Sequence, residues 1–381
     1  MRIGAAAVLF LLSLNISAQN AAEQRGAWLA TVDGLDWPRK QSLHYAQRSD
    51  LIATIDSLAA LGCNTLYFQV VSEMDAMYSS DILPWSRHLS GEEGMTPYFD
   101  PLGLAVKAAH RNGMQIHAWI NPLRVSISDT TVRSISQIKY VHPEWVHNYR
   151  GKEYLDPGNP EVVDFLCRVA AEILSRYDVD GLHIDDYFYP DGLQSDRRSP
   201  SDKGAWDDSA LYALYGGGKT LEEWRFGNID RLVAALHETT RSVRPDAVFG
   251  VSPQGRIANS RRLYADPRRW AGQGSVDYLL PQLYWSTGRN DAAAFPKVLP
   301  EWEALASERL IIYVGLAAYK HDPVFYRRKQ DAGFRDTAEY RTQVELLRNR
   351  KKIHGHVWFR TRDILEREDL KAEISRIYKN R

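Results

Sequence analysis

Residues 100–124 run DPLGLAVKAAHRNGMQIHAWINPLR, and the order of patterns inside this stretch decides the fold. Residues 101–112 space their apolar side chains as a helix, Gly113 closes it, and residues 114–120 follow as a short apolar strand. The strand ends in Asn121-Pro122, with Arg124 just beyond. Helix, glycine, strand and polar cluster form a unit that recurs in both directions along the chain. Strand patterns fall at residues 26–32, 64–71, 114–120, 181–184, 248–252, 276–284, 310–315 and 354–359. Helical patterns fall between and after them, at 48–61, 101–112, 162–177, 228–243, 260–270, 292–306, 338–351 and 370–378. Alternating strands and helices predict a parallel sheet covered by helices. Eight such units fit an α/β fold of the (β/α)8 TIM-barrel type. An open doubly wound sheet stays as the alternative, because periodicity alone does not show closure. No linker composition breaks the run, so residues 19–381 are expected to form a single barrel domain.

The first 18 residues stand apart. Arg2, an apolar run over residues 5–14, and the small residues Ser17 and Ala18 have the make-up of a secretory signal peptide. The run is shorter than the ~20 residues a membrane span needs. An exported protein, periplasmic or secreted, is therefore expected, with no integral membrane segment once the signal is removed. Without residues 1–18 the chain has 47 basic against 48 acidic residues, a balance that gives no electrostatic basis for nucleic-acid partners. The basic run at residues 348–352 is expected to be a solvated helix end, and residues 216–220 (GGGKT) a flexible joint without the spacing of a phosphate loop. Cys63 and Cys167 lie in apolar sequence and suit buried thiols better than a disulfide. No CxxC, HxH or HExxH occurs, so neither metal nor other cofactor is expected.

In a (β/α)8 barrel, chemistry collects on the loops after the strands. Those loops are long here, at residues 72–98, 122–160, 187–225 and 315–337. They hold many of the 11 Trp and 20 Tyr. The fourth strand ends DGLHIDDYFYP over residues 180–190. Side chains alternate along a strand, so His183 and Asp185 point into the barrel if Leu182 and Ile184 meet the helices. A carboxyl walled by Tyr187 and Tyr189 is partly desolvated, which raises its pKa toward general-acid use. Three other strand ends carry clusters of the same kind: Gln69 followed by Glu73 and Asp75; His117, Trp119 and Asn121 with Arg124; Gln282, Tyr284 and Trp285. Ser252, Gln254 and Arg256 follow the fifth strand. Flat aromatic faces beside planar hydrogen-bonding groups suit a sugar ring and its hydroxyl rim.

The motifs RGAWLATVDGLDWP, NTLYFQV with EMDAMY, HAWINP, LDPGNPEV, HIDDYFYP, VSPQGR and PQLYW, in this order, resemble the glycosyl-hydrolase-like family 10 of bacterial envelope and secreted proteins. The resemblance spans about residues 25–378. It implies a (β/α)8 barrel that hydrolyses carbohydrate, with peptide-free glycan strands of peptidoglycan as the expected polysaccharide. Asp185 and Asp186 become the leading catalytic acids. Gln69, Asp75, Trp119, Asn121, Arg124, His183, Tyr187, Gln282, Tyr284 and Trp285 become substrate-binding residues. Relatives carry Arg-Pro after FQV where this chain has Val71-Ser72, which implies one altered subsite contact. Glycoside hydrolysis commonly uses two carboxyls, and with Asp185 as the acid the second is expected from Asp186, Glu73 or Asp75. The seventh strand's end, residues 314–320, holds no Glu. A substrate-assisted route through a sugar N-acetyl group stays open. So do two rivals, a non-catalytic glycan-binding barrel and a metal-dependent hydrolase using His117, His183 and Asp185.

Overall fold

The computed structural model describes residues 23–39, 44–128, 130–199 and 202–379; the expected signal peptide lies outside these. In chain order its strands are β1 (Gln24–Leu29), β2 (Thr65–Val71), β3 (Gln115–Ile120), β4 (Arg124–Ser126), β5 (Val146–Tyr149), β6 (Lys152–Leu155), β7 (Gly181–Ile184), β8 (Val248–Val251), β9 (Tyr278–Leu279), β10 (Ile311–Ala317) and β11 (Ile353–Phe359). Eight of them close into a parallel barrel in the order β1-β2-β3-β7-β8-β9-β10-β11, with β11 pairing back onto β1. Closure replaces the open-sheet alternative.

The opening stretch shows why the units form. Asp100 accepts the Gly103 N–H at 3.1 Å and Pro101 takes the first helical position, which starts the helix Pro101–Arg111. Gly113, with φ of 68°, then turns the chain into β3. Outward-facing Leu66, Phe68, Ile116, Ala118, Leu182, Ile184, Phe249 and Val251 join one buried apolar cluster with helix residues such as Leu58, Leu102, Val169 and Ile229. A second, smaller cluster fills the barrel's interior, with Trp28, Tyr67, Trp119, Tyr278 and Val357. The interior is crowded enough that a Cβ at Gly250 would overlap the Tyr278 ring.

Three expectations change. The helix expected at residues 260–270 is two short helices, Ile257–Arg261 and Pro267–Gln273, because Pro267 begins a new helix behind the Asp266 cap. The strand expected at 276–284 shrinks to β9: Pro281 has no N–H for the ladder, and only isolated bridges at Gln282 continue it toward Gln254 and Gly315. The connection at residues 122–160 contains an antiparallel sheet, β4-β6-β5, set over the barrel's mouth.

Candidate active site

Asp185 follows directly on β7. The β3–β7 register pairs Trp119 with His183 and Ile120 with Ile184, which brings Trp119 and Asn121 alongside it. The Asp185 Oδ2 accepts Trp119 Nε1–H at 3.0 Å and Asn121 Nδ2–H at 3.2 Å. Asp185 is only 4% exposed. Burial, then the neighbouring Asp186 charge, pushes its pKa up to about 7 against the pull of Arg124 and the Trp119 hydrogen bond. Asp186 is half-buried and turns the other way, toward the β8 and β9 ends. Gln282 Nε2 donates to its Oδ1 at 3.0 Å, and Gln254 Nε2 donates to its Oδ2. Burial raises its pKa as well. Two adjacent carboxyls, each held by amide or indole donors from a different flank, thus sit at the barrel's mouth, both with pKa values raised by burial.

The surrounding walls are aromatic and cationic. Arg124 donates from Nε to the Ser72 carbonyl at 3.0 Å and lies 4.5 Å over the Tyr187 ring, whose residue is 44% exposed. The Tyr284 ring stacks on Phe359 at 5.8 Å. Burial first, then Tyr319 and the two aspartates, holds the Tyr284 hydroxyl well above its usual pKa, which marks it as a neighbour of the pair. Trp285 packs against Gly255, where a Cβ would come within 2.6 Å of the indole. Gln69 is fully buried and uses Oε1 to accept the Thr31 and Val32 N–H groups at 2.9 Å, leaving its Nε2 without a partner. A cavity of about 270 Å³ opens beside Asp186, between β6 and the segment after β8.

Three expected site residues sit elsewhere. Glu73 is sealed under the mouth, paired with Arg133 at 2.8 Å and Arg87 at 3.0 Å while accepting the Ile127 N–H at 2.8 Å. It has no carboxylate oxygen left for substrate. Asp75 accepts from Ser72 Oγ and the Glu73 N–H; burial works against its charge, but Arg133 and His88 hold its pKa below the ordinary value. His183 lies a layer below the mouth, fully buried. Its Nε2 accepts Trp28 Nε1–H at 3.1 Å, so Nδ1 carries the proton to Tyr278 Oη at 3.0 Å. Tyr278 then faces His117 Nδ1 at 2.9 Å, and burial holds both histidines neutral, His117 at about 4. These groups form a polar ladder inside the barrel. Among the described residues no three His, Cys, Asp or Glu side chains lie where they would share a metal ion, so the ligand set of the metal-dependent alternative is not assembled. Cys63 is buried and Cys167 half-buried, both as free thiols.

The cavity's other residues were not singled out by sequence. Lys152 and Tyr154 arrive on the unforeseen antiparallel sheet, where Tyr154 pairs with Arg124. Arg262 arrives on the segment that Pro267 breaks from its expected helix. The signal for Gln254 was its place in SPQGR, in phase with the other strand-end clusters.

A profile of the Glycosyl hydrolase-like 10 family matches residues 23–334. "Glycosyl hydrolase YngK" of Bacillus subtilis (strain 168) is 32% identical over 370 residues, covering 91% of this chain and 70% of the relative. "Glycosyl hydrolase DigH" of Escherichia coli (strain K12) is 36% identical over 338 residues, covering 79% and 74%. Among solved structures, the endo-1,4-beta-mannanase from Rhizomucor miehei superposes with a TM-score of 0.57 at 11% identity, covering 94% of each chain. The PgaB (BpsB) glycoside hydrolase domain from Bordetella bronchiseptica superposes with a TM-score of 0.54 at 15% identity, covering 93% of this chain and 98% of that one. These two likenesses speak for the barrel, and the sequence matches speak for descent: the chain belongs to the glycosyl hydrolase-like 10 family.

Proposed function

We propose that this protein is an exported glycoside hydrolase that cleaves peptide-free glycan strands of peptidoglycan or a closely related polysaccharide. The observation that carries the proposal is the Asp185–Asp186 pair, with Asp185 pushed up to about 7 beside a cavity walled by aromatic and amide groups. A carboxyl still protonated near neutral pH is what general-acid departure of a sugar oxygen requires. Asp185 delivers that proton. Asp186, held by Gln254 and Gln282, carries the negative charge that steadies the oxocarbenium-like transition state. Because the two residues are adjacent, the charge on Asp186 raises the pKa of Asp185, and the two titrate as a coupled pair.

With Glu73 drawn into ion pairs and Asp75 into hydrogen bonds from Ser72 Oγ and the Glu73 N–H, the adjacent pair supports a substrate-assisted route over a second protein nucleophile. In that route the sugar's N-acetyl oxygen attacks the anomeric carbon as the glycosidic bond to the leaving oxygen breaks. Asp185 protonates the leaving oxygen, and Asp186 orients the acetamido N–H. The residue 1–18 signal supports export. The test is release of new reducing ends from peptide-free strands by the purified protein. Asp185→Asn and Asp186→Asn should each abolish most of it. Saturable binding without any new reducing end would make this a glycan-binding barrel instead.

A further inference from the structure

The cavity beside Asp186 carries charges that the acid chemistry does not use. Lys152 stands at the start of β6 and Arg262 just after the helix Ile257–Arg261, and both line the cavity with Tyr154, Asp186, Asp191 and Gln254. Both cations are exposed. Among the described residues neither side chain has an ion pair or a hydrogen bond, and Asp191 is paired with neither. Their neighbours behave differently: Arg225 is clamped by Asp208, and Arg261 and Arg268 both hold Asp266. Two cations from separate elements, turned to one cavity and left unneutralised, attract an anion there. Asp186 on the same cavity is held by Gln254 and Gln282 and pairs with neither cation.

We propose that Lys152 and Arg262 form a specificity subsite for a free carboxylate on a sugar substituent of the glycan, next to the bond that the aspartate pair cleaves. The inference rests on the glycosidase reading and deepens it by naming the two residues that would read an acidic sugar in the strand. The carboxylate takes charge-assisted hydrogen bonds from the ammonium and the guanidinium, while Tyr154 offers the sugar ring an apolar wall. Amidating or masking the carboxylate removes those bonds.

The experiment compares kcat/KM on peptide-free peptidoglycan strands with that on the same strands after their carboxyls are coupled to methylamine. The wild-type protein is expected to favour the acidic strands by at least about ten-fold, mainly through KM. In Lys152→Ala/Arg262→Ala the ratio should fall to within about two-fold, because the acidic strands lose their advantage. Lys152→Arg should retain the preference, and about 0.5 M salt should erode it. Circular dichroism checks that the double variant is folded, and Lys152→Gln/Arg262→Gln repeats the test. Equal rates on both strands, or a preference that survives in the double variants, would overturn the subsite and leave the glycosidase intact. Failure to cut either strand would overturn the glycosidase reading and the subsite together.

Discussion

Replacing Asp185 with Asn should remove catalysis and add stability at high pH, and the sizes of both follow from its surroundings. The native carboxyl holds its proton until about pH 7, whereas the free group releases it at 3.8. As pH rises between these values the unfolded chain releases its proton first and the native chain keeps it. Stability is therefore fullest below the unfolded pKa and is lost as pH climbs through the native one. The gap is just over three units, and at 1.36 kcal/mol per unit the loss is roughly 4 kcal/mol. Asparagine does not titrate, and its amide oxygen still accepts from Trp119 and Asn121. Removing the 185 charge also relieves the repulsion on Asp186, which works in the same direction.

Wild type and variant should thus melt together near pH 4.5 and diverge by pH 8, with the variant several degrees higher at about 2 °C per kcal/mol. Reducing-end release should fall by about 10²–10⁴-fold, the usual worth of a positioned proton donor. Thermal melts followed by circular dichroism at pH 4.5, 6 and 8 read the first effect, and the strand assay reads the second. Melting curves that stay parallel across that range would refute the elevated pKa. Wild-type turnover in the variant would refute the acid role.

Trp119→Phe removes an N–H donor that lowers the Asp185 pKa, so the alkaline limb of the pH–rate profile should move upward by about half a unit to one unit, with a smaller kcat. Glu73→Gln takes one of two carboxylates from buried Arg133, leaving it Glu93, and should cost about 1–3 kcal/mol in urea unfolding, with activity falling only in step with the folded fraction. Gly250→Ala drives a methyl into the Tyr278 ring; about 1–3 kcal/mol of destabilisation, or outright failure to fold, should appear in the same unfolding assay. Strands stripped of their N-acetyl groups should resist cleavage if the substrate-assisted route operates, and product analysis by mass spectrometry would show unimpeded cutting if a protein nucleophile acts instead.

The barrel was legible because each of its units repeats one periodic pattern, and strand-end alternation correctly turned Asp185 inward once Leu182 and Ile184 faced the helices. Less legible were features set by partners distant in sequence. Nothing local to Glu73 announces Arg133, yet that pair takes the carboxylate out of the mouth. His183 and Asp185 share one face of the strand, but two residues of rise separate a core layer from a site, and only the Trp28 and Tyr278 rings show which residue lies on which side. The antiparallel sheet turns at Arg150 and Gly151, which join β5 to β6 with φ of 53° and 77°, the backbone of a two-residue hairpin turn. Missing it hid Lys152 and Tyr154, because a residue assigned to a long loop has no defined place relative to the acids.

Adjacent carboxyls on one strand end diverge, because successive side chains point to opposite faces. The structure turns that divergence into a division of labour. Asp185 is gripped by Trp119 and Asn121 from the barrel side, and Asp186 by Gln254 and Gln282 from the opposite flank. Each donor set fixes one carboxyl's direction without reference to the other, so the pair need not collapse into a single shared hydrogen bond to be stable. Burial raises both pKa values, and the charge of Asp186 adds to the rise at Asp185. The proton is thereby retained on the deeper group while the outer one faces the cavity. With acid and partner both drawn from this pair, as proposed, Glu73 and Asp75 are left to brace Arg133 beneath the mouth.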